Sequence, residues 1–117
     1  MHEMGTMNDI LYTVNKAAAE AGATRVLEID LKIGAFTQII DEALNLAFEV
    51  LSEGTLSEGA KLEVEYVSAK SKCTDCGLEF EHDIYHMECP RCGSHFTNII
   101  AGRELTVEKI EVELPDD

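Results

Sequence analysis

Residues 73–93 read CTDCGLEFEHDIYHMECPRCG, and every cysteine of the chain lies within them. Cys73-Thr74-Asp75-Cys76-Gly77 and Cys89-Pro90-Arg91-Cys92-Gly93 are two CxxCG turns, with twelve residues between Cys76 and Cys89. A CxxC turn lets two sulfurs converge on one ion, and zinc(II) takes four thiolates in a tetrahedron. The glycine after each pair permits the positive-φ turn that keeps the backbone close to the sulfurs. Two such knuckles joined by a hairpin-length segment form a zinc ribbon on Cys73, Cys76, Cys89 and Cys92. A closed four-thiolate site has no open position for substrate, so its role is structural. Iron held by the same ligands is the alternative, separable by colour. In a reducing cytosol paired CxxC motifs are metal ligands rather than disulfides. Phe80 and Phe96 are expected to pack beside the ion as a miniature core.

The patterning on either side of this insert is that of an α+β domain. Met7, Ile10, Leu11, Val14, Ala18 and Ala21 recur at three and four residues, giving a first amphipathic helix. From Val26 to Gly34 the chain alternates, with Leu27, Ile29, Leu31 and Ile33 on one face, as in a half-buried strand. Ile40, Ala43, Leu44, Ala47, Phe48 and Leu51 form a second helical stripe. Leu62, Val64 and Tyr66 mark a second strand, and Leu105 to Leu114 a last one. In that last strand the apolar set slips from odd (Leu105, Val107) to even (Ile110, Val112, Leu114). One face of a regular strand cannot hold both sets, so a bulge or similar irregularity is expected near Glu108–Lys109. The expected fold is a three-stranded sheet covered on one face by two helices, with an inserted zinc-ribbon subdomain. Residues 1–69 and 102–117 make the main domain, and residues 70–101 the ribbon.

Composition narrows the function. The chain has 117 residues, enough for one modest core. With 23 acidic against 9 basic residues its formal net charge is −14. Phosphate-tracking surfaces need clustered Lys and Arg, so nucleic acid is not an expected partner. No apolar run approaches the ~20 residues that cross a bilayer, and no signal peptide is visible, so a cytoplasmic location without membrane contact is expected. There is no GxxxxGK[ST] loop, HExxH motif or nucleophile elbow, so no catalytic residue is assigned and the chain is not expected to be an enzyme.

Met1-His2-Glu3 is a second candidate metal site. The α-amine of Met1, the deprotonated amide of His2 and the His2 Nδ1 can place three nitrogens in one plane, an arrangement nickel(II) and copper(II) favour. The fourth position is open to the Glu3 backbone amide or to a distant side chain. His2 is bulky, so Met1 is expected to stay on the chain.

MHE at the start, RVLEIDLKIG, EALNLAFEVL, EGAKLEVEY, the paired CxxCG turns and GRELTVEKIEVE follow one another in that order. In this the chain resembles the HypA/HybF family of hydrogenase nickel-incorporation proteins over essentially its whole length. The resemblance implies nickel on Met1 and His2, with Glu3 at the family's third position, and structural zinc on the four cysteines. It also implies work with a HypB-type GTPase to load nickel into the [NiFe]-hydrogenase large subunit, in some bacteria also urease, by a monomer or homodimer. Some members complete the nickel square with a histidine from the inter-knuckle region, which here means His82 or His86, otherwise expected as exposed loop residues. After MHE the chain departs from its relatives, and Gly5 is expected to loosen the start of the first helix.

Overall fold

The computed structural model describes residues 2–116, so Met1 lies outside the described residues. The fold is α+β, with helices α1 (Glu3–Glu20) and α2 (Asp41–Ser52) and six strands, β1 (Arg25–Gly34), β2 (Lys61–Val67), β3 (Lys70–Cys73), β4 (Glu79–Glu81), β5 (Thr97–Ala101) and β6 (Leu105–Glu113). The strands make two three-stranded sheets, ordered β2-β1-β6 and β4-β3-β5. The chain divides into two compact units, one of residues 1–31, 39–65 and 106–117, the other of Lys32–Gln38 and Tyr66–Leu105.

In the first unit, Met7, Leu11, Val14 and Ala18 of α1 are buried, as are Leu44, Ala47 and Phe48 of α2 and Val26, Ile29 and Leu31 of β1. Each helix thus places one apolar stripe toward the central strand, and the two cover one face of the sheet. The stripes are those of the sequence with two corrections: Ala21 and Ile40 are exposed, because α1 ends at Glu20 and Ile40 is the residue before α2. The first turn of α1 is continuous through Gly5 rather than loosened by it. Glu3 explains this, for its carboxylate is buried and accepts the Ile40 N–H at 2.9 Å. That bond pins the first turn of α1 to the residue that precedes α2.

The face of β1 also differs from simple alternation. Val26 is buried and Leu27 is 38% exposed, whereas Ile29, Leu31 and Ile33 are buried. Thr24 N donates to Glu113 O and Gly34 N donates to Glu104 O, so ten steps along β1 match nine along β6 between these two bonds. The buried side of β1 changes at Leu27–Glu28. On β6 the less exposed positions are Val107, Ile110 and Val112, so the slip expected at Glu108–Lys109 is present in the side-chain pattern.

In the second unit β3 pairs antiparallel with both β4 and β5, with a register shift at Lys70/Ser71. The segment 32–38 joins this unit through backbone: Gly34 N donates to Glu104 O and Phe36 N to Gly102 O. Two glycines meet there. A Cβ at Gly34 would overlap the carbonyl carbon and oxygen of Gly102, and Gly102 (φ +112°) sits against Ala69 and the Phe36 ring. Substituting Gly34→Ala must therefore separate two backbones. It should cost about 3 kcal/mol and lower the melting temperature by roughly 10 °C. Gly5→Ala, in a helix with open space around it, should instead stabilise by about 0.5–1 kcal/mol. Thermal unfolding of the two variants beside the native chain checks both signs.

Candidate metal centre

The two knuckles have the same backbone wiring. Gly77 N donates to Cys73 O and Cys73 N to Leu78 O; Gly93 N donates to Cys89 O and Cys89 N to Ser94 O. Gly77 and Gly93 both lie at positive φ, 80° and 74°, where a side chain would be strained. Across the knuckles Arg91 Nη2 donates to Cys76 O at 2.9 Å, and the Ser94 hydroxyl donates to the Asp75 carboxylate. Thr74 binds Phe96 O through both its N–H and its hydroxyl. The turns are thus fastened to each other by polar bonds outside the sulfurs.

The sulfurs converge. Cys73 and Cys92 Sγ are 3.6 Å apart, as are Cys76 and Cys89 Sγ, and all four atoms lie within 4.8 Å of one another. These separations are too long for disulfides. They bracket the edge of about 3.8 Å that a tetrahedron of thiolates has around an ion with bonds of about 2.3 Å. Cys73 and Cys89 are buried with Phe80, and Cys76 and Leu78 pack against them. Phe96 departs from expectation, being 73% exposed. Its carbonyl is held by Thr74, so the backbone is fixed while the ring points away from the cluster.

Electrostatics shows what a cation would do for the cluster. The Leu78 backbone N–H, then the Arg91 guanidinium, draw the Cys76 thiol down to about 6. At Cys92 the Ser94 N–H also favours the thiolate, but the Cys73 thiol, loss of water and the Cys89 and Cys76 thiols outweigh it and push the group up to about 12. The first sulfur ionises easily and the last does not. A divalent ion among them removes that repulsion and lets all four bind as thiolates. Arg91, inside the second knuckle, was not assigned a role from sequence. The signal for it is a fixed positive charge between two metal thiols.

The histidines of the inter-knuckle segment differ from each other. His86 is exposed, and its Nδ1 lies 2.8 Å from Asp83 Oδ2; the Asp83 carboxylate beside it raises its pKa. His82 is no exposed loop residue. Its ring packs against Phe80 and Phe36. Nδ1 lies 2.6 Å from Asp83 O and Nε2 2.7 Å from the hydroxyl of buried Ser71. A carbonyl only accepts, so Nδ1 carries the proton and Nε2 accepts from Ser71 in the neutral ring. Both ring nitrogens are thereby engaged within the ribbon unit.

His2 stands at the other candidate site. It is exposed, directly precedes α1, and its side chain makes no capping bond to the helix. His2 O already accepts the first helical bond, from Thr6 N at 2.8 Å. The Glu3 carboxylate accepts the Ile40 N–H at 2.9 Å.

A family model described as hydrogenase/urease nickel incorporation, metallochaperone, HypA matches residues 1–112. The chain belongs to the HypA family. The hydrogenase maturation factor HypA of Geobacter metallireducens is 37% identical over 113 residues, which are 97% of this chain and 100% of the relative. The HypA of Methanocaldococcus jannaschii is 39% identical over 124 residues, covering 99% and 100%. The solution structure of the Ni metallochaperone HypA from Helicobacter pylori matches with a TM-score of 0.69 at 21% identity, over 98% of this chain and 100% of that one. This last likeness shows that the HypA fold is shared. Among the described residues no helix is long and apolar enough to cross a membrane.

The ribbon electrostatics yield a testable sign. Arg91→Ala removes one of the groups that favour the Cys76 thiolate, so protons compete better for that sulfur. On acid titration of metal-loaded protein, release to a chromogenic chelator should begin at a higher pH in the variant than in the native chain. Release at the same pH would mean that Arg91 acts only on the Cys76 carbonyl.

Proposed function

We propose that this HypA-family chain carries nickel(II) on its first residues, holds zinc in the four-cysteine ribbon, and hands nickel to a hydrogenase precursor. The nickel donors are the Met1 amine, the His2 amide nitrogen and His2 Nδ1, with the Glu3 amide as fourth. The observation that carries the reading is His2 itself, exposed and uncommitted at the head of α1, in a chain of a nickel-incorporation family.

Helix geometry supports the donor set. The first N–H groups of an α-helix have no partner in its own ladder, and α1 begins at Glu3. Deprotonating the His2 and Glu3 amides therefore breaks no helical bond. Two amide anions also cancel the charge of nickel(II), which removes the conflict between a dication and the positive end of the helix dipole. Glu3 contributes through its backbone amide, and its carboxylate accepts the Ile40 N–H. Nickel entry releases protons from amine, amide and imidazole, so binding weakens on acidification. A site built on a chain end opens by exchanging one ligand at a time, which suits transfer rather than retention.

Zinc is the metal that fits the ribbon best: four thiolates at tetrahedral spacing, with both knuckles closed by backbone bonds. When bound it supplies rigidity to the ribbon unit. The acceptor is the [NiFe]-hydrogenase large subunit, and the family description extends to urease. Nucleotide hydrolysis belongs to a HypB-type GTPase, since this chain has no phosphate-binding loop, and the chain turns over no substrate. The setting is the cytoplasm, as a monomer or homodimer. The alternatives for the fourth nickel position, His82 and His86, are the weaker ones: both nitrogens of His82 and Nδ1 of His86 are bonded within their own unit.

Nickel titration of untagged protein tests the proposal, with native chain, His2→Ala and N-terminally acetylated chain in parallel. Both changes should weaken nickel binding by roughly a hundredfold or more, while zinc content and melting temperature stay native. Native nickel affinity in either altered chain would overturn the assignment.

A further inference from the structure

Beside the core-facing stripe of α2, two more apolar residues, Leu46 and Val50, lie next to Ala43 of that stripe. Ala43, Leu46 and Val50 recur at three and four residues. Leu46 is 62% exposed and Val50 53% exposed. Across from them Met4 of α1 is 52% exposed. His2, Met4, Ala43, Leu46 and Ala47 line one open groove of about 400 Å³. An apolar groove between two helices, with the candidate nickel residue at its end, is the kind of surface that seats a third helix.

The charge around it selects the occupant. Asp41, Glu42, Glu49 and Glu53 are all exposed along or just beyond α2. No Lys or Arg occurs in α2 or in the first thirteen residues of α1. The rim therefore carries one sign only. A second copy of this chain would bring the same carboxylates against them, and each copy has a net charge of −14. An anionic membrane surface would be repelled in the same way. A helix with an apolar stripe flanked by Lys and Arg meets both the groove and the rim.

We propose that the α1/α2 groove is the docking surface for a basic amphipathic helix of a partner protein, with Leu46 as its central anchor. A partner seated there stands beside His2. The surface thus serves the delivery step, and for that purpose alone the proposal rests on the nickel reading. The rim speeds encounter and the stripe holds the complex, so association weakens with salt while the anchor residue controls its lifetime.

The probe is a synthetic helical peptide with a leucine stripe flanked by lysines, titrated into isotope-labelled, zinc-loaded full-length chain and followed by amide chemical shifts. Two control peptides carry serine in place of leucine, or glutamate in place of lysine. Shifts should centre on Met4, Ala43, Leu46, Ala47 and Val50 and weaken as salt is raised, and both controls should bind at least about tenfold more weakly. Leu46→Glu, at an exposed position, should lose the peptide by a similar factor while keeping native nickel affinity and melting temperature. Loss of docking with nickel binding intact separates this surface from the metal site. Overturning results are equal binding of the serine peptide, equal binding by Leu46→Glu, shifts spread over all acidic faces, or self-association through Leu46 in sedimentation of the native chain.

Discussion

A charged hydrogen bond, from the Ile40 amide to the buried Glu3 carboxylate, sets the geometry at the head of the molecule. A buried carboxylate without a donor would be costly, so this partner is required as well as favourable. The bond holds the first turn of α1 against the start of α2 and thereby begins the helix at Glu3. From that follow the exposed position of His2, the release of the first amides from helical duty, and the groove between Met4 and Leu46. The glycine at position 5, which by its entropy should favour fraying, is held in register by the bond on one side and buried Met7 on the other.

The ribbon unit answers a different demand. Its three short strands, of three to five residues, carry little apolar surface, with Phe80, Cys73 and Cys89 as the buried cluster. A core that small does not fold on burial alone, and small units of this kind use a metal to supply the missing stability. The duplicated knuckle wiring and the Arg91 bridge hold the sulfurs within reach of one ion. In the proposed function two metals would have opposite tasks: the ribbon would enclose one with four sulfurs and no open position, and the chain start would offer the other to solvent, with nitrogen donors that can be given up singly.

Much of this was legible in the residues. The helical stripes through Met7 to Ala18 and Leu44 to Phe48 are where the spacing puts them, because long periodic patterns average over local exceptions. The CxxCG pairs are as legible, since metal geometry fixes their spacing. What was hidden depended on partners distant in sequence. Leu27 is exposed where the buried side of β1 changes, and nothing in the local alternation marks that change. Ile40 continues the α2 stripe in sequence yet lies outside the helix, where its amide serves Glu3. Phe96 is apolar and adjacent to a knuckle, but the Thr74 bonds to its carbonyl turn its ring outward. His82 reads as a loop residue until Phe36, brought in with the segment after β1, packs on its ring. The short strands β3 and β4, KSKC and EFE, have too few residues to show a period.

The proposed function puts two metals on two unlike donor sets in one chain. X-ray absorption at the nickel and zinc edges of untagged protein loaded with both ions tests this most directly. The expected result is planar nickel surrounded only by nitrogen and oxygen, an imidazole among them, together with zinc surrounded by four sulfurs. Sulfur among nickel's nearest neighbours would place the cargo in the ribbon and contradict the division of labour described above.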